Sequence, residues 1–166
     1  MRHIRIWYIM DRVKIREYLI NKLREYTDNQ YHMAGSYSEN VPDIAVILEI
    51  INEVEVIGRG NGGFVSYDQA TQIETVLYVT SLYISISVYT PLDEESLRIC
   101  GELHEAILDN RYKIKDNSPE SINTGIDRIV SITPPTLPNK REMGQRTSWL
   151  STLQIEVEIK ELKTHE

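Results

Sequence analysis

The chain has 166 residues, enough for one domain with a real core, and its composition is that of an ordinary soluble globular protein. Its net charge of -7 excludes a global basic field that would draw it to nucleic acid or anionic lipid. A single cysteine, Cys100, excludes an internal disulfide and any cysteine-based zinc site, and a reducing compartment is the natural expectation.

Charge is unevenly placed along the chain. Residues 1–24 carry Arg2, Arg5, Arg12, Lys14, Arg16, Lys22 and Arg24 against Asp11 and Glu17, a balance of +5, which leaves -12 for residues 25–166. A basic segment on an acidic body can dock on a neighbouring copy of that body. The early apolar run "IWYIM" is too short for a secretory signal core, and no run approaches a membrane span.

Residues 11–26 read as a helix with Ile15, Tyr18, Leu19, Leu23 and Tyr26 on one stripe. The stretch "TDNQYHMAGSYSENVP" has no period and reads as a loop. Residues 43–57 read as a long strand, in which Glu53 and Glu55 share a wet face. Residues 73–89 alternate more clearly, with Leu82, Ile84, Ile86 and Val88 on one side. The two strands are expected to pair as a long antiparallel hairpin with "GRGNGGFVSYDQATQ" as its tip. At about 3.3 Å per residue such strands project beyond the body unless a bulge bends them.

That tip contains Gly58, Gly60 and Gly63 in the spacing of a dinucleotide fingerprint. The fingerprint needs a helix opening straight after the glycines, to hold the pyrophosphate on its N-terminus. Here the glycines run into β-rich sequence, and no Lys-Ser or Lys-Thr follows for a phosphate loop, so no cofactor is expected.

Residues 90–110 hold the best helix. Thr90 is placed to cap it, Pro91 to open it, and Asp93, Glu94 and Glu95 complement its dipole. Leu97, Cys100, Leu103, His104 and Ile107 form the expected inward stripe. Cys100 and His104, one turn apart, have the spacing of a nucleophile pair, but their place on that stripe favours core packing. After a polar stretch from Arg111 to Asn123, "GIDRIVSIT" reads as a strand and "PPTLPNKREMGQR" as a proline-broken loop. "TSWLSTLQIEVEIKEL" reads as a last strand, with Trp149, Leu153, Ile155, Val157 and Ile159 on one face and Glu156 and Glu158 on the other. The histidines are scattered without ligand spacing, and nothing assembles a base, a nucleophile and an oxyanion site, so no catalytic or metal site is expected. The expected fold is α+β, one domain over residues 1–166. It is a four-stranded antiparallel sheet with two helices on one face, in the order α-β-β-α-β-β.

The stretches "VPDIAVILEI" and "TVLYVTSLYISISVYTPLDEESLRICGELHEAILDN", with the final strand, carry a resemblance. In their order the chain resembles the tail terminator (tail-completion) proteins of long-tailed bacteriophages such as phage lambda, over most of residues 11–160. It departs from them in a longer basic N-terminal segment and a longer glycine-rich tip. The resemblance implies a virion structural protein, assembled in the bacterial host and not an enzyme. It implies a homomeric, six-fold ring seated on the tail tube protein and presenting a surface to a head-completion or neck protein. DNA passes through the acidic lumen of such a ring without specific binding, and no membrane is involved. Glu53, Glu55, Glu156 and Glu158 are the candidates for the lumen lining. Arg2, Arg5, Arg59, Asn61, Phe64, Tyr67, Lys140, Arg141 and Arg146 are the candidates for partner contacts, because aromatic residues and arginine dominate interface energies. The alternatives are another neck or head-completion subunit, or a small α+β enzyme whose site the sequence hides.

Overall fold

The computed structural model describes residues 2–28, 31–38, 40–117 and 124–166, with the side chains of residues 2–11 and Met143 left aside. Two helices, α1 (Arg2–Tyr26) and α2 (Asp93–Asn110), accompany seven strands. The strands are β1 (His32–Ala34), β2 (Ala45–Ile57), β3 (Phe64–Asp68), β4 (Ile73–Thr90), β5 (Ile126–Ile132), β6 (Asn139–Met143) and β7 (Arg146–His165). They form one mixed sheet, and β1 runs parallel to β2. The expected four-stranded, wholly antiparallel sheet is therefore wrong. The three additional strands have three to five residues each, too few to show a period in the sequence.

Two long strands organise the molecule. β4 and β7 pair antiparallel without a break from Glu74↔His165 to Thr90↔Trp149. β2 and β3 lie in succession along the other edge of β4, and β5 and β6 in succession along the other edge of β7. The segment between β5 and β6 still follows β7, since Thr133 N donates to Gln154 O and Thr136 N to Thr152 O. This explains why a proline-broken run stays on the sheet. Proline gives no ladder donor, and here threonines supply the bonds.

The helices cover one face. Ile15, Leu19 and Leu23 of α1 and Ile99, Cys100, Leu103 and Ile107 of α2 share a core with the inward residues of β2, β4 and β7, among them Val46, Leu48, Ile84, Ile86, Ile155 and Val157. The buried stripe of α2 runs through Ser96, Ile99, Cys100, Leu103, Ala106 and Ile107, while Leu97 is exposed and His104 only half-buried. The inward stripe is thus rotated from the expected one. Leu92, not Thr90, sits at the N-cap, without a side-chain bond. The Thr90 hydroxyl instead donates to Leu92 O at 2.6 Å.

β2 is bent by bulges, one between Ile50 and Asn52 and one between Glu55 and Ile57. A bulge adds one residue and shifts the side-chain phase. The first therefore turns Glu53 to the helix side, opposite Leu82, and Glu55 with it, opposite Thr80. Val54 and Val56, which the alternation places inside, are left about half exposed. The opposite face has a smaller cluster of its own, in which Val41, Ala45 and Ile47 pack with Tyr37 and Tyr89.

Candidate assembly interface

The glycine-rich stretch is not the tip of the hairpin. Ile57 pairs with Val79 and Phe64 pairs with Val76, so residues 58–63 form a blister opposite only two residues of β4. Gly58 O accepts from Asn61 N at 3.0 Å and from Gly63 N at 2.9 Å, and Gly63 O accepts from Leu77 N at 2.7 Å. A Cβ on Gly63 would stand 2.3 Å from Leu77 O, so glycine is needed there for close approach of two backbones. The chain reverses beyond β3, at residues 69–72.

The residues singled out for partner contact separate into two groups. Phe64 is 61% and Tyr67 52% exposed on β3, with Val65 between them at 52%. Lys140 and Arg141 are exposed on β6. Others are engaged within the chain. Arg59 pairs with Glu74 at 2.8 Å, and the Asn61 amide donates to Val56 O at 2.7 Å. The Arg146 guanidinium donates to Val41 O at 2.7 Å and pairs with Asp43 at 3.6 Å, which ties the loop before β2 to β7. The side chains of Arg2 and Arg5 lie outside the described residues.

The four candidate lumen glutamates do not share a surface. Glu53 and Glu55 lie on the helix side, where Glu53 pairs with Arg12 of α1. Burial, then the carboxylates of Glu161 and Glu55, push the Glu53 carboxyl above its ordinary value, even beside the Arg12 guanidinium. Glu156 and Glu158 lie on the opposite face, across from Tyr83 and Ser81 of β4. There Glu156 accepts from the Tyr83 and Ser131 hydroxyls, each at 3.3 Å, and Glu158 pairs with Arg128 at 3.2 Å and Lys160 at 3.6 Å. Glu49, across from Ser85 on this polar face, is exposed and joins them.

The cysteine is deep in the core. Cys100 is fully buried, and burial pushes its thiol up to about 12. Among the described residues no three His, Cys, Asp or Glu side chains are grouped to hold a metal ion, and no helix is long and apolar enough to cross a membrane.

No protein-family model and no curated protein matches the sequence. A solved structure does. Over 90% of this chain and 56% of the other, the fold superposes on the sheath/tube terminator of an extracellular contractile injection system (PVC) in its extended state, with a TM-score of 0.51 and 12% identity. The fold is terminator-like. At that identity the likeness concerns the fold alone, and this chain spans little more than half the length of the PVC terminator. The terminator-like fold includes two surfaces missed in the sequence. One is the exposed edge strand β3, whose apolar content is legible but whose pairing is not. The other is Leu162 at the end of β7, 66% exposed, which the simple alternation of β7 gives no reason to single out.

Proposed function

We propose that this chain is a structural subunit that ends a tail tube, as a closed homomeric ring placed between the tube and the structure above it. The observation that supports this most is the terminator-like fold, which extends over 90% of the chain. On this reading, in a phage, the protein belongs to the virion, at the junction of tail and neck, with tube and head-completion proteins as its partners. On this reading the protein is structural and carries no turnover. The face opposite the helices, with Glu49, Glu156 and Glu158, lines the lumen, where like charge keeps a passing duplex from adhering. Six-fold symmetry follows from the resemblance to phage terminators.

Polymerising the tube protein of the same particle with and without this chain tests the reading. Tubes are expected to stop growing when the chain is added and to carry it at one end only. An unchanged length distribution, with the chain unbound or bound along the walls, would overturn it.

A further inference from the structure

Two edges of the sheet are open at the same level. Phe64, Ser66 and Tyr67 of β3 stand in the same rows as Lys163, Thr164 and His165 of β7, on either side of β4. Among the described residues β3 bonds to no strand but β4, and β7 beyond Lys160 has no strand on its outer side. The β3 edge is apolar where it is open, through Phe64, Val65 and Tyr67, whereas the β7 edge is mostly polar, with Leu162 as its exposed apolar side chain. Exposed apolar strand edges are templates for pairing with another chain.

Within the ring reading above, on which this rests, we propose that β3 of one copy pairs in parallel with residues 161–165 of β7 of the next copy, and that this contact joins the subunits. Strand direction decides the geometry. β3 and β7 both run antiparallel to β4, so they point the same way. A rotation about an axis roughly along the strands preserves direction and sets β3 against the next β7 in parallel. Such a contact between two different patches is heterologous, the kind that closes into rings. A two-fold dimer would instead set β3 against β3.

Charge separates the two arrangements. The β2–β3 edge carries Glu49, Glu55 and Asp68 against Arg59, net -2, with Glu53 neutralised by Arg12 of α1. The opposite, β5–β6 edge carries Arg128, Lys140 and Arg141 against Asp127 and Glu142, net +1. Edge against opposite edge is attractive, whereas the β2–β3 edge against itself is repulsive.

Cysteine cross-linking tests the contact, and the buried Cys100 leaves the background silent. Within one chain Ser66 and Thr164 are separated by β4, about 9.6 Å at two strand spacings, beyond the reach of roughly 7 Å between Cα atoms that a disulfide allows. The S66C/T164C chain, or S66C/L162C to allow for shear, is expected to give on mild oxidation a ladder of covalent multimers that ends at the ring size. S66C alone and T164C alone are expected to stay monomeric on a denaturing gel. Val65→Lys changes a side chain already half exposed, so it is expected to fold normally and to weaken association on the order of ten-fold or more. Cross-links in either single variant would overturn the proposal in favour of two-fold pairing. A particle that keeps the mass of a ring, yet gives no ladder or tolerates V65K unchanged, would overturn this contact and leave the ring standing. A monomer at high concentration and low salt that is also a monomer in its working assembly would overturn both.

Discussion

Gly60 and Gly63 stand three residues apart in the same blister and differ in what a side chain would meet. Nothing lies within 4 Å of a Cβ on Gly60, whereas one on Gly63 would meet Leu77 O at 2.3 Å and Gly58 O at 2.6 Å. Gly63→Ala is therefore expected to lower stability by about 1–3 kcal/mol, and Gly60→Ala to leave it within about 0.5 kcal/mol. Denaturant titration of the two variants checks this, and equal stabilities would contradict the blister geometry. Cys100 gives a second test at this scale. A thiol pushed up to about 12 by burial is protonated at any ordinary pH and closed to reagent. Labelling of the native protein is expected to occur only at the rate at which the core opens, and a thiolate that reacts in seconds would reopen the enzyme reading.

Among the elements, β5 is held to β7 by a charged clamp as well as by its ladder. Lys160 pairs with Asp127 at 3.0 Å and with Glu158 at 3.6 Å. Burial pushes the Asp127 carboxyl up, but Lys160, with Lys115 and the Asn117 amide, outweighs it, and the net displacement is downward. A lowered carboxyl adds stability that is full above the unfolded value, about 3.9, and that is lost as pH falls through the folded value. Because Lys160 is 42% exposed, solvent screening limits the pair to about 0.5–1 kcal/mol. Asp127→Asn is expected to cost that much at pH 7 and nothing once the pH falls below the folded value, as read from melts across the acid range. A deficit that persists in acid would show that the residue acts through something other than its charge. The elements also show where sequence reasoning succeeds. The alternation of residues 82–88 and the amphipathic run of α2 reveal both elements, because each is long and buried on one side. β3 and β6 escape, since five-residue edge strands that are largely exposed have no buried face to mark them. β2 is legible as a strand but not in phase. Its bulge at Ile51 reverses the sides of Glu53 and Val54, and a bulge has no signature in alternation until a partner strand is known. The same limit applies to the assembly surface. Phe64 and Tyr67 stand out by residue type, but the edges that they lie on become visible only when the strands are paired.

At the scale of the whole molecule, the sheet has one covered face, one polar face and two edges of opposite net charge. That combination is suited to lateral repetition. Part of the basic N-terminal charge is engaged within the chain, through Arg12 with Glu53 and Lys22 with Glu25. The two edges carry further charge. Association is therefore expected to weaken between 0.1 M and 1 M salt, as the screening length falls from about 10 Å to about 3 Å. Sedimentation at the two ionic strengths checks this, and a salt-independent constant would remove charge from the account of assembly. The claim on which the rest depends is that copies of this chain close into a ring. Imaging the purified protein at high concentration and low salt, together with its mass in solution, tests that directly. Closed particles with a central channel and six-fold symmetry are expected. A monomer under those conditions that is also a monomer in its working assembly would contradict it.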